Sequence, residues 1–407
     1  MRDTPASPSF WRSPLRGPWL TSVLGLVLLV GITVLFVTGL VSYAAYNPGL
    51  APVNDKTPDK GILGFYLFAW PTDPHWLYRL TQGVHVTLGV TLIPVLLAKL
   101  WSVVPKLFAL PPARSLTHAL ERVSLLLLVG GGLFEFVTGV LNVQLDYLFP
   151  GSFYPLHFYG AWVFFAAFVA HAVLKVPAAV RNVRRAREEG ELVAPRPDPP
   201  TVSRRGALWF VGGGSLLLFG TTAGQSFDGP LRRTALLAPH GGADPGTGPN
   251  GFQINKTAAY AGIDRAETAE DAWRLIVVGR SGRTVRLSRT ELSQLPLHSS
   301  ALPIACVEGW STSDQWWHGV RLRDLAALVG HDGDPPDVLV ESLQRRGAFR
   351  HAALRANQVA DPRSLLALYV NGEALSADHG YPARVIVPAA PGVLNTKWVA
   401  RLTFGKV

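Results

Sequence analysis

The sequence predicts a multi-domain chain, an all-α bundle of five membrane-spanning helices followed by a β-rich α+β domain. Three observations predict it. Apolar runs approaching the roughly 20 residues that a spanning helix needs occur five times before residue 224. From Gly251 onward, short β-prone runs alternate with turn residues. Between the two lies a stretch, 225–251, rich in Gly, Pro and polar residues, which reads as a tether.

The first run, 19–43, is too long for a cleaved signal peptide and lacks a clear cleavage site, so a span is expected there. Further spans are expected near 84–104, 123–145 and 158–176, with a shorter, glycine-rich one at 207–223. Arg2, Arg12 and Arg16 precede the first run. Lys106, Arg114 and Arg122 lie between the second and third, and Lys175, Arg181, Arg184, Arg185, Arg187, Arg204 and Arg205 lie between the fourth and fifth. The intervening loops hold fewer basic residues, so the N-terminus is expected in the cytoplasm of a bacterial cell and the C-terminal half outside it. The net charge of +10 is then mostly topology charge. With no nucleic-acid motif present, nucleic acid is excluded as a partner and the lipid bilayer is expected as one. The expected division is a cytoplasmic segment 1–18, a four-helix transmembrane domain 19–176, a basic loop 177–206, a fifth span 207–223, a linker 224–250 and an extracytoplasmic domain 251–407.

Four histidines sit in or beside the runs: His85, His118, His157 and His171. An imidazole in hydrocarbon is costly without a partner, which makes function the default reading, and imidazole pairs are the axial ligands of electron-transfer haems. His157 and His171 are 14 residues apart, about 21 Å along nearly one helix face. His85 opens a run of the same direction, so His85 and His157 are expected to share one level, as ligands of an outer haem. His118 and His171 are the weaker pair, for an inner haem. Gly89 and Gly160, one turn from the outer ligands, are expected to admit a porphyrin. One or two haems b are therefore expected; the alternative is that these histidines pack or line a polar cavity. The pattern resembles bacterial membrane b-type cytochromes.

In the second half, strands are expected at 273–278, 284–287, 303–307, 338–342, 365–370, 383–387 and 399–404, with a helix at 322–329. The single cysteine, Cys306, rules out an intrachain disulfide. It stands in Ala305-Cys306-Val307-Glu308-Gly309-Trp310-Ser311, which continues as Trp317-His318-Gly319-Val320-Arg321-Leu322. A second block reads Val370-Asn371-Gly372-Glu373, Asp378-His379-Gly380-Tyr381-Pro382-Ala383-Arg384, Pro391-Gly392-Val393 and Lys397-Trp398. Together these resemble the sulfite oxidase fold, nearer to its methionine sulfoxide reductase catalytic subunit branch, over nearly all of 251–407.

The resemblance implies a molybdenum–molybdopterin cofactor with Cys306 as the protein's thiolate ligand, a soft sulfur suited to that metal. It implies that Arg384, Lys397 and His379 face the pterin, and it makes Asn255, in Phe252-Gln253-Ile254-Asn255-Lys256-Thr257, a further contact. Sulfite oxidases carry arginines after the ligating cysteine, where this chain has Val307-Glu308-Gly309-Trp310. Phe349 stands where the active-site tyrosine of sulfite oxidase is sought. Both departures point away from sulfite. The dimerisation domain of that family is not expected in this chain.

Ser203-Arg204-Arg205 before the last run resembles a twin-arginine export signal placed internally. The expected function is oxygen-atom transfer on a small molecule, with sulfoxide-like reduction favoured, coupled through haem to the quinone pool; an external redox partner is left open. Oxidation of a substrate such as sulfite, or a metal-free binding or sensory membrane protein, are the alternatives.

Overall fold

The computed structural model describes residues 11–46, 68–105, 115–143, 153–186, 202–227, 229–238, 244–346 and 349–405, with residues 189 and 193. Five long helices come first: α1 (Pro18–Tyr46), α2 (Leu77–Val103), α3 (Leu116–Asn142), α4 (Tyr154–Arg184) and α5 (Arg204–Thr222). All five are long and apolar enough to cross a membrane. Two outrun their apolar stretches. Helix α2 begins at Leu77, well before residue 84, and α4 continues to Arg184, because helical hydrogen bonding does not stop where hydropathy does. The expected third span reached residue 145, and its end lies outside the described residues.

The chain forms two compact units, one comprising Met1–Thr38, His85–Asn142 and Phe153–Thr222, the other Gly39–Val84, Val143–Ser152 and Ala223–Val407. The helical unit packs through a stripe on every fourth residue of α1, namely Leu20, Leu24, Leu28 and Ile32. The stripe meets Leu92, Val95 and Leu96 of α2 and Phe164 and Phe168 of α4. Large apolar side chains remain exposed on the outer faces, among them Val30, Val173, Leu174, Trp209 and Phe210.

Among the described residues the second unit holds ten strands: β1 (Leu275–Val278), β2 (Thr284–Leu287), β3 (His298–Leu302), β4 (Gln315–Arg321), β5 (Val338–Ser342), β6 (His351–Leu354), β7 (Leu365–Val370), β8 (Glu373–Ala374), β9 (Arg384–Ile386) and β10 (Val399–Phe404). They make two sheets, ordered β2-β1-β10-β5-β6 and β3-β4-β7-β8, with β9 also paired to β7. Among these strands β1 and β10 pair in parallel and the other pairs are antiparallel. Short helices connect them: α6 (Ala258–Ala261), α7 (Arg265–Thr268), α8 (Arg289–Gln294), α9 (Leu322–Leu328) and α10 (Ala356–Ala360). Helix α8 opens on a capping box, in which Ser288 and Glu291 satisfy each other's backbone N–H groups.

The expected strand at 303–307 is not one. Its residues leave β3 and enter a turn, and only isolated bridges from Ala305 to Ser311 and to Pro391 survive. The strand itself lies just before, in the serine-containing His298–Leu302, whose apolar alternation is weak in sequence. Strand β4 was also hidden. Gly319 interrupts its pattern, and a Cβ there would strike the Leu366 carbonyl of the neighbouring strand. The expected linker 224–250 is partly docked: Ala223–Gln225 and Pro230–Thr234 form 3-10 turns, and Gln225 and Ser226 are buried.

Candidate functional site

Cys306 sits in a closed turn. Its N–H donates to the Trp310 carbonyl at 2.8 Å, and the Gly309 N–H donates to the Cys306 carbonyl at 3.1 Å. Gly309 takes φ +91°, a left-handed conformation that glycine adopts without strain. The side chain is buried among Leu302, Ile304, Trp310 and Trp317. Its sulfur lies 3.6 Å from a carboxyl oxygen of Glu308, which also accepts from the Trp310 indole at 3.0 Å. Burial first, and Glu308 second, push the thiol well above its usual value. Such a thiol is a poor nucleophile, whereas a bound metal ion deprotonates a coordinating thiol outright.

The turn rests on residues far away in sequence. Gln82 of α2 donates to the Val307 carbonyl and accepts from Ser42 of α1 at 2.5 Å. Ser226 donates to the Gly309 carbonyl, while its own carbonyl accepts from Ser311 Oγ and from Arg79 Nε, each at 2.8 Å. Arg232 donates to the Ser311 carbonyl at 2.9 Å. Ala44, Ala45, Trp70 and Tyr78 pack against Ala305.

A cationic group forms around Gly380, whose φ is +111° and where a Cβ would crowd Lys397 and Arg384. Arg384, on β9, is buried with its guanidinium over the Trp317 ring, and its Nε has no hydrogen-bond partner among the described residues. Lys397 donates to the carbonyls of Lys256 and Asp378, both at 2.8 Å. His379 stacks on Phe252, with centroids 3.8 Å apart, and pairs through Nε2 with the Asn250 carbonyl at 2.9 Å. Burial lowers all three: Arg384 to about 9, Lys397 well below its usual value with Arg384 adding to the effect, and His379 to about 3 with Arg384 and Lys397 adding. Lys397 is also close enough to Cys306 for their charges to interact. Two buried basic groups, Arg384 and Lys397, beside a neutral imidazole fit a site for an anion.

In the helical unit, the imidazoles of His85 and His157 lie with centroids 6.2 Å apart and planes at 87°. Each is held the same way. Thr38 Oγ1 donates back to the Val34 carbonyl at 2.7 Å and meets His85 Nδ1 at 3.0 Å. Thr138 Oγ1 donates back to the Phe134 carbonyl at 2.7 Å and meets His157 Nδ1 at 2.9 Å. With each hydroxyl proton spent on its own helix, the threonine oxygen accepts from Nδ1–H, which fixes the tautomer and reserves Nε2 for another partner. Leu35 O and Glu135 Oε2 stand 3.0 and 3.1 Å from the same two Nδ1 atoms. Gly160 packs against α3. A Cβ there would meet Glu135 Oε1 and the Phe134 ring, so the missing side chain makes room for those groups; at Gly89 only Leu35 approaches, at 3.8 Å. His171 is half-buried near Lys99 and Lys175, and the side chain of its expected partner His118 lies outside the described residues.

Residues 261–407 match the family described as the oxidoreductase molybdopterin binding domain. This stretch is a molybdopterin-binding oxidoreductase domain. Mitochondrial sulfite oxidase of Rattus norvegicus is 32% identical to the chain over 158 residues, covering 33% of this chain and 29% of that protein. The oxidoreductase YuiH of Bacillus subtilis strain 168 is 31% identical over 134 residues, covering 33% of this chain and 66% of that one. The chain therefore spans less than a third of the length of the mammalian sulfite oxidase. The sulfane dehydrogenase SoxCD of Paracoccus pantotrophus aligns at 24% identity with a TM-score of 0.30, over 33% of this chain and 39% of that one.

The molybdopterin-binding domain brings together three of its sequence-derived candidates, His379, Arg384 and Lys397, with Cys306 near them. Asn255 is exposed on the adjoining loop, between buried Ile254 and Lys256. Phe349, at φ +66°, lies 5.9 Å from the Lys256 ammonium. Sequence reasoning missed Arg289, a nearly buried arginine over the rings of Tyr369 and Tyr381 whose Nε has no partner among the described residues. It also missed Asn395 and Thr396, each with a buried polar atom lacking a partner among the described residues. Their signal is positional, since they immediately precede Lys397. These orphaned donors and the buried basic groups fit an anionic, polar-edged pterin.

Proposed function

We propose that the chain is a membrane-bound molybdenum oxidoreductase that transfers an oxygen atom on a small sulfur-centred substrate, sulfoxide reduction being favoured, and exchanges electrons with the quinone pool through haem b. The observation that carries the reading is Cys306, a buried thiol unfit for nucleophilic attack, held in a hydrogen-bonded turn near buried Lys397. When bound, molybdenum–molybdopterin supplies the two-electron oxygen-atom chemistry and Cys306 would hold the metal. Arg384 and Lys397 would bind the anionic part of the pterin, and His379, kept neutral by burial, would present an uncharged ring. Lys256 accepts from Lys397 through its carbonyl, and Asn255 directly precedes it.

Glu308 supports the substrate class. Its carboxyl group is within 3.6 Å of the ligating sulfur, and an acid at that place disfavours a dianion such as sulfite relative to a neutral sulfoxide. Oxidation of sulfite, with electrons passed to quinone, is the second reading, favoured by the similarity to sulfite oxidase.

The haem reading rests on the His85–His157 pair. The imidazoles stand 6.2 Å apart with both Nδ1 atoms engaged, and their Nε2 atoms would hold the iron of a haem b. A second, inner haem at His118 and His171 remains part of the proposal. The five apolar helices and their exposed outer residues support insertion in a bacterial cell membrane, N-terminus inside and molybdenum domain outside. Arg204 and Arg205 open α5, where positive charge opposes the helix dipole. Helix stability does not account for the pair, which supports a twin-arginine export role.

The test is to purify the full chain from membranes, measure molybdenum, pterin and the reduced-minus-oxidised spectrum, and compare turnover on a sulfoxide and on sulfite. Molybdenum with a b-type spectrum and sulfoxide turnover is the expected result. Protein without either metal, from cells that load related enzymes, refutes the proposal, and turnover on sulfite alone selects the second reading.

A further inference from the structure

The hydrogen bonds of the Cys306 turn are only partly its own. The Cys306 and Trp310 carbonyls are satisfied inside the turn, by Gly309 N–H and Cys306 N–H. The carbonyls of Val307 and Gly309 are instead taken by Gln82 and Ser226, which lie outside the molybdopterin-binding stretch 261–407. Gln82 belongs to the first turns of α2 and Ser226 directly follows the 3-10 turn after α5. Neither side chain is loose. Gln82 is buried and its amide oxygen is occupied by Ser42. Ser226 is fully buried, and a Cβ on Gly83, next to Gln82, would collide with it. A second tie fastens the same edge: Trp70 donates to the Ala389 carbonyl at 2.7 Å, Ala389 N–H to the His75 carbonyl at 3.0 Å, and Asn357 to the Trp70 carbonyl at 2.9 Å.

We propose that Gln82 and Ser226 are positioning residues of the molybdenum site, fixing the peptide planes that aim the Cys306 sulfur. The inference rests on the reading of Cys306 as the metal's thiolate. A turn has few peptide groups, and rotating one rotates the Cα–Cβ bond beside it. Two external donors on its free carbonyls remove that freedom, because a buried carbonyl that loses its donor stays unsatisfied and the turn relaxes to find another. The consequence is that residues at the ends of two membrane-type helices form part of the metal's second layer of contacts, so the domain's metal geometry is set by segments that its own sequence does not contain.

The test uses the full-length protein with Gln82→Glu, which keeps the shape but replaces the donor by an acceptor, and Ser226→Ala. Molybdenum content, the electron paramagnetic resonance signal of the Mo(V) state, turnover and the reduced-minus-oxidised spectrum are measured on each. A shifted Mo(V) signal with turnover lowered about tenfold, the scale of one lost hydrogen bond, and an unchanged haem spectrum is the expected result. Variants that keep the wild-type Mo(V) signal, even if they melt at lower temperature, reduce Gln82 and Ser226 to packing residues and overturn the inference. Wild-type protein that binds no molybdenum overturns the underlying metal assignment instead, before any variant is compared.

Discussion

The two units prepare their candidate metal ligands by different means. In the helical unit, each histidine is braced by a threonine that is itself tied to its own helix one turn back, together with one neighbouring group, Leu35 O for His85 and Glu135 for His157. In the β-rich unit, the cysteine's surroundings come from the ends of α1 and α2, the segment after α5, and loops spread from Asn250 to Lys397. Two packed helices place a ligand on one beside a brace on the other, so a few residues suffice. A loop site has no such frame and must be assembled from many parts. The first kind of site is therefore expected to fail locally, and the second to lose geometry when distant residues change.

The sharpest break of that comparison is Cys306→Ser. Turnover is expected to fall to background and molybdenum to be lost, while the b-type spectrum stays intact; retained turnover would dissolve the metal assignment. Next comes His85→Ala or His157→Ala, each expected to abolish the spectrum of the outer haem and leave molybdenum content unchanged. An unaltered spectrum removes the pair. Arg384→Ala should weaken cofactor retention by about 10- to 100-fold, the range for losing a hydrogen bond to a charged group. Arg384→Lys should recover only part of it, since a point charge lacks the bidentate fork; equal retention in all three proteins would show that Arg384 does not face the cofactor.

Milder still, Thr138→Val should leave the haem bound but change its midpoint potential, because His157 Nδ1–H loses an acceptor, and a potential equal to wild type would reduce the threonine to packing.

The smallest effect concerns pH. His379 titrates near 3 when folded and near 6.5 when unfolded, so between those values the unfolded chain holds more protons. Its contribution to stability is complete above about 6.5 and is lost as the pH falls toward 3, with a limiting slope of about 1.4 kcal/mol per pH unit. Cofactor-free His379→Gln protein should show a flatter acid limb in denaturant titrations, and an identical limb counts against the assignment.

Much of this was legible in the sequence. The five helices follow from apolar runs, because in hydrocarbon a helix alone satisfies its own backbone. Strands β2, β5, β7 and β10 fall where β-branched and apolar residues cluster. His379, Arg384 and Lys397 were singled out by resemblance, and the fold gathers them. The rest was not legible for identifiable reasons. The run 303–307 has strand composition, yet its hydrogen bonds go to a turn, a choice made by Trp310 and Gly309 rather than by local propensity. The same holds for β4, whose glycine serves its neighbour and not itself. Thr38 and Thr138 look like ordinary helix residues until a histidine from another helix is placed beside each.

Local chemistry alone determined the helical first half, the β-rich second half and one thiol among cationic candidates, because periodicity, turn residues and side-chain type act over a few neighbours. Tertiary structure alone decided that Gln82, Ser226 and Trp70 belong with the cysteine domain, that His85 finds His157, and that Gly160 serves Glu135. Those pairings join residues far apart in the chain, and only packing, which must satisfy every buried donor and acceptor at once, selects among them.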